Sequence, residues 1–192
     1  MSAHPDRIAW LDTETTGLDE TNGHLLEIAI IITDNELNEI AEPFSQIVRP
    51  ATAQWKSVMN DFVTDMHTVN GLIAAIDDGE GAPLLKVEFD AVNYIHCHCG
   101  TEFKPMLAGN SITFDRVWTA HHTPALLAAL HYRSIDVTSL DQFVTRSTSL
   151  ESLNPDDTMP SDHRAVSDLR RSIAVAKHIR QGINSALAPQ SG

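Results

Sequence analysis

Arg7-Ile8-Ala9-Trp10-Leu11-Asp12-Thr13-Glu14-Thr15-Thr16-Gly17-Leu18 opens as an apolar run and ends in two acids one residue apart. Side chains two apart on a β-strand share a face. A strand over Ile8 to Glu14 therefore sets the carboxylates of Asp12 and Glu14 side by side at its end. Gly17 gives the chain freedom to turn just afterwards. Two like charges so placed repel unless a cation sits between them. A hard divalent ion takes such oxygens and leaves positions for water and phosphate. Taken alone, Asp-x-Glu also fits a plain acidic turn after a strand, so the choice rests on the remainder of the chain.

Working outward, residues 25–34 read as a second apolar strand rich in β-branched side chains, and Phe44 to Val48 as a third. Short links between the three imply an antiparallel meander whose first strand carries the acid pair. Residues 55–75 read as a helix interrupted at Asn70-Gly71, and 84–98 as an amphipathic helix closed near Gly100. Pro105 to Gly109 is the next strand, Phe114-Asp115-Arg116 opens a helix, and Pro124 starts a short one. Ser134 to Val137 is a strand and 138–147 a helix; 147–162 is a polar loop. A last long helix, capped by Ser161 or Asp162, packs through Val166, Leu169, Ile173, Ala176 and Ile179. This is an α/β fold, a mixed sheet flanked by helices, in one domain over 1–192, with its core at about 7–182 and a flexible tail at 183–192.

The net charge of −13 excludes some functions. Long nucleic acid is normally held in a basic groove, and 13 Lys+Arg against 26 Asp+Glu disfavour it as the preferred ligand. A short substrate with few phosphates remains compatible. No apolar run approaches the ~18 residues of a membrane span. Two cysteines, Cys97 and Cys99, make no disulfide framework, and the expected setting is the reducing cytoplasm.

Asp12, Glu14, Asp115 and Asp168, with His163 five residues before the last, form a candidate constellation. Five helical residues turn the chain by about 500°. His163 is therefore expected on the loop entering the last helix, not on the face that carries Asp168. Four carboxylates and a histidine match two-metal phosphodiester hydrolysis, in which divalent ions activate water and clamp attacking and leaving oxygens. The histidine serves as general base.

In this order, Asp12-x-Glu14, Asp115 and His163-x-x-x-x-Asp168 resemble the DEDDh exonuclease superfamily, whose fold is ribonuclease-H-like. Narrower blocks are similar to the oligoribonuclease family: Trp10 to Leu18, Glu27-Ile28-Ala29, Thr33-Asp34, His67-Thr68 with Gly71-Leu72, and Gly109-Asn110-Ser111-Ile112 with Asp115-Arg116. His131-Tyr132-Arg133-x-x-Asp136-Val137 and His163-Arg164-Ala165 complete the set. The resemblance implies a homodimer that removes mononucleotides from the 3′ end of very short RNA, dinucleotides above all. It implies that Asp12, Glu14, Asp115 and Asp168 hold two divalent cations, Mg2+ or Mn2+, and that His163 is the base. Leu18 would wedge against a base and Phe62 stack on one. Ser111, Arg133 and Thr138 would cap the 5′ phosphate, reached by His67 and Tyr132 from the partner subunit. Thr15 stands where the family usually has methionine, and residues 145–160 depart from its pattern. The alternatives are a general 3′→5′ exonuclease on longer DNA or RNA ends, or a catalytically silent dinucleotide-binding protein.

Other motifs take plainer readings. Cys97-His98-Cys99 is spaced too closely for a zinc site and has no second ligand pair. His121-His122 reads as a solvated helix end, Trp55 as core or interface, and Asp136 as a helix cap or a support for Arg133.

Overall fold

The structure, a computed structural model, describes residues 6–149, 151–152, 159 and 162–187. Ser161 and residues 188–192 of the expected tail lie outside them, as does much of the divergent 145–160 segment. Five strands form one mixed sheet in the order β3-β2-β1-β4-β5. They are β1 Ile8–Thr15, β2 Leu25–Thr33, β3 Phe44–Ile47, β4 Met106–Gly109 and β5 Ser134–Asp136. β1, β2 and β3 pair antiparallel as the short links require. β4 pairs parallel with both β1 and β5, each reached by a helical crossover.

The helices are α1 Asp61–Val69, α2 Leu72–Asp77, α3 Leu84–Cys99, α4 Thr113–His122, α5 Pro124–Ala128, α6 Val137–Ser147 and α7 Ala165–Leu187. The break between α1 and α2 falls at Asn70-Gly71, where Gly71 takes φ +79°, a conformation that costs glycine little. Alternation along β1 sorts its side chains between two helical layers. Ala9 and Leu11 join Val87, Ala91, Ile95, Trp118 and Leu126 under α3, α4 and α5. Ile8 and Trp10 join Val144, Leu169, Ile173 and Ile179 under α6 and α7. β2 is buried along its whole length because both layers cover it. Among the described residues no helix is long and apolar enough to cross a membrane.

Two expectations at the chain's last helix are corrected. α7 begins at Ala165, not at a cap on Ser161 or Asp162, because His163 takes φ +52° and cannot continue a right-handed helical path. Asp162 instead accepts a hydrogen bond from the Arg164 amide at 3.1 Å. The helix also runs on to Leu187, so residues 183–187 belong to it and not to a tail.

Candidate active site

The alternation that sends Ile8 and Trp10 towards α7 sends Asp12 and Glu14 the same way. Asp168 comes from the first turn of α7. The three carboxylates each offer an oxygen within 4.8 Å of the others. Asp115 arrives from the opposite layer, in the first turn of α4, where it is buried. Its Oδ1 accepts from the Thr13 amide at 2.9 Å and from Thr13 Oγ1 at 2.8 Å. Thr13, which points away from the other acids, thus tethers the fourth carboxylate to the same strand end.

The electrostatics show what this costs. Burial, then the charges of Asp115, Glu14 and Asp168, push the Asp12 carboxyl well above the usual range. Burial and the Asp168 and Glu27 charges push Glu14 up to about 8, although Arg164 opposes them. Burial raises Asp115 to about 7 against the two Thr13 bonds. A buried group of carboxylates is stable as anions only with a compensating cation. Hard oxygen donors at this spacing suit a divalent one.

His163 lies on the loop before α7, exposed, as its spacing from Asp168 predicts. Its carbonyl accepts from Asn70 Nδ2 at 2.5 Å. The next residue is fixed more firmly. Arg164 lays a two-bond fork on Glu27, Nε to Oε2 at 2.9 Å and Nη2 to Oε1 at 2.7 Å. Glu27 sits opposite Glu14 in the β1–β2 register and is buried. This pair was not singled out from the sequence beyond its place in the similar blocks. The only local signal, an acid within an apolar strand, gives no partner.

Beside the acids a cleft of ≈ 340 Å³ is lined by Thr13, Glu14, Leu18, Phe62, Met66 and Phe114. Leu18 is 86% exposed and Phe62 75% exposed, both far outside ordinary packing for such side chains. Gly17, at φ +151°, turns the chain so that Leu18 faces the cleft. Trp55 is buried in a small core with Leu26, Leu72 and Ile76, as expected.

Ser111 and Thr138 also meet. Gly109 pairs with Asp136 across β4 and β5, so the residues after both strands emerge together. Thr138 Oγ1 accepts from the Ser111 amide at 3.0 Å and lies 3.3 Å from Ser111 Oγ. Arg133 and Tyr132 precede β5; both are exposed, and the guanidinium carbon lies 5.2 Å from the Tyr132 ring centre. Asp136 occupies the N-cap position of α6, but its side chain caps no backbone amide there and instead accepts from Ser139 Oγ at 2.6 Å.

His67 is placed differently from expectation. Its ring is 0% exposed, so it is not available to reach into a partner's site. Nε2 donates to the Thr15 carbonyl at 2.9 Å, and Nδ1 lies 4.0 Å from Glu14 Oε2. It braces the acid-bearing end of its own β1. His122 is likewise not simply solvated: it stacks on Trp118 and its Nε2 donates to the Glu20 carbonyl. Cys97 is exposed and Cys99 buried, so the two thiols diverge.

Known proteins resemble this chain in sequence and in fold. The sequence profile of the RNase_T family, described as exonuclease, matches residues 9–176. An oligoribonuclease of Leifsonia xyli is 35% identical over 181 residues, covering 94% of this chain and 86% of the relative. One of Corynebacterium diphtheriae is 38% identical over 183 residues, covering 94% and 85%. Among solved structures, a zinc-bound E. coli exonuclease I complex with single-stranded DNA superposes with a TM-score of 0.71 at 15% identity. Exonuclease I from Methylocaldum szegediense gives 0.69 at 21%. The chain covers only 41% and 40% of those two proteins, and at these identities they speak for the fold alone. On the strength of the profile and the curated relatives together, the chain belongs to the RNase_T exonuclease family and, within it, to the oligoribonucleases.

Proposed function

We propose that this chain hydrolyses dinucleotides and other very short oligoribonucleotides from the 3′ end to 5′-mononucleotides, using two divalent cations, Mg2+ or Mn2+. The observation that carries the reading is the group of Asp12, Glu14 and Asp168 oxygens within 4.8 Å, set against the Leu18–Phe62 cleft. Asp12, Glu14, Asp168 and Asp115 would hold the cations. When bound, these supply an activated water and charge stabilisation on the phosphoryl oxygens.

The chain's own residues do the rest. Leu18 and Phe62 grip the 3′ base by wedging and stacking. Ser111, Thr138 and Arg133 take the 5′ phosphate, where a planar guanidinium fork suits its oxygens. Tyr132 of the partner subunit closes that end in a homodimer; its 69% exposure leaves it available for this. His163 accepts the proton of the attacking water. The water oxygen bonds to phosphorus, the P–O3′ bond breaks, and the leaving O3′ takes up a proton. A capped 5′ end limits length, in keeping with the charge of −13. The two cysteines are free thiols, consistent with a cytoplasmic setting.

The test is a Mg2+-dependent cleavage assay on 5′-labelled RNA of two, three, five and twenty nucleotides. Much the fastest turnover is expected for the dinucleotide. Equal or faster trimming of the long strand would replace the reading with a general 3′→5′ exonuclease. Tight dinucleotide binding without cleavage would replace it with a silent binding protein.

A further inference from the structure

We infer that Asn70 is a positioning residue for His163, and that α1 joins this function to the base-contacting side of the cleft. The inference rests on the reading of His163 as general base. Asn70 is the C-cap of α1, and its side-chain amide is fully committed. Oδ1 accepts from the Leu72 amide at 2.9 Å and closes the turn into α2. Nδ2 reaches two acceptors, the His163 carbonyl at 2.5 Å and His67 Nδ1 at 3.4 Å.

The tautomers make this a directed chain. The Thr15 carbonyl can only accept, so His67 Nε2 carries the proton and its Nδ1 offers a lone pair. One Asn70 amide hydrogen serves that lone pair and the other the His163 carbonyl. The acid-bearing end of β1 is thereby linked through His67 and Asn70 to the residue that takes up the water's proton. His163 needs such a hold, because φ +52° is a sparsely populated conformation for a residue with a side chain. Arg164 is fixed independently by Glu27, so the segment is held at the left-handed residue and at the one after it.

Phe62 lies in the first turn of the same helix, where the Asn60 side chain caps the Val63 amide. α1 has nine residues, a rod of about 13 Å. A base stacked on Phe62 at one end and the His163 carbonyl at the other are therefore carried by one rigid element. Displacing the first turn displaces the hold on the base.

Asn70→Asp keeps the acceptor for Leu72 and removes both amide hydrogens. With a dinucleotide and Mg2+ we expect kcat to fall on the order of 10- to 100-fold with KM unchanged. The same substitution is then placed in His163→Ala. A residue that acts through His163 costs nothing further there, whereas a charge effect on the acids persists. Thermal unfolding of each variant is followed in parallel, and Asn70→Ser, whose hydroxyl is too short to reach the His163 carbonyl, repeats the cycle without the added charge. Wild-type kcat in Asn70→Asp and Asn70→Ser, or an equal further loss in the His163→Ala background, overturns the inference while the general-base reading stands. Undiminished turnover by His163→Ala overturns both.

Discussion

The Arg164 guanidinium and the Glu27 carboxylate, 137 residues apart, make two parallel hydrogen bonds directly behind Glu14. The pair brings the start of α7 against β2; Arg164 partly offsets the repulsion on Glu14, to which Glu27 itself adds. Glu27 is buried and the Arg164 side chain half-buried, so removing the Glu27 charge leaves the guanidinium without its ionic partner. Glu27→Gln is expected to lower stability by about 2 kcal/mol and to lower kcat as well, measured by urea unfolding and dinucleotide turnover. Arg164→Lys, which cannot form the fork, should lose most of the same stability.

His163→Ala is expected to lose on the order of 10²- to 10⁴-fold in kcat while dinucleotide affinity is retained. Calorimetric binding beside steady-state turnover separates the two. Near-wild-type turnover at neutral pH would remove His163 from the role of base.

The acids make stability depend on pH and on metal. Glu14 moves from 4.5 in the open chain to about 8 in the fold, and Asp115 from 3.8 to about 7. Between those limits the folded protein holds protons that the unfolded chain has released, so stability falls as pH rises. The contribution is complete below pH 4 and lost by about pH 8. Metal-free protein should show a falling Tm across this window, and added Mg2+ or Mn2+ should restore it at the upper end. Glu14→Gln should flatten the metal-free profile. A Tm independent of pH from 5 to 8 without metal would contradict the clustering of charge.

Phe62 contributes little to the core, so Phe62→Ala should leave Tm unchanged. The lost stacking, about 1–3 kcal/mol per base, should appear as a raised KM for dinucleotides. An unchanged KM would leave the exposed ring without a role in substrate binding.

Arg133→Ala should abolish the preference for a 5′-phosphorylated dinucleotide over one with a 5′ hydroxyl, read as a ratio of kcat/KM. Preservation of that ratio would place the phosphate elsewhere than at Ser111, Thr138 and Arg133.

How legible these features were depends on the range of the interaction behind each. The acid pair of β1 follows from a two-residue alternation, and the meander from its short links. The α1–α2 break follows from a single glycine at φ +79°. The position of His163 off the helix follows from the angular arithmetic of its spacing to Asp168. The grip of Asn70 on His163 spans 93 residues and leaves no local pattern. The place of His67 in a partner's site was implied by the resemblance alone, and no local pattern shows that its ring is buried against the Thr15 carbonyl of its own chain. The late start of α7 was missed because histidine itself does not signal a left-handed backbone; the surrounding contacts impose it.

Asp115 hangs from a helix on one face of the sheet and Asp168 from a helix on the other, while Asp12 and Glu14 belong to the strand between. A chain emerging from the ribosome, surrounded by RNA, carries three of its four acids before the 23 residues of α7 have been made. It gains the fourth, together with the ordered approach of His163, only when that helix closes the second layer. The set of four carboxylates is thus complete only when the last long helix has been added to the sheet.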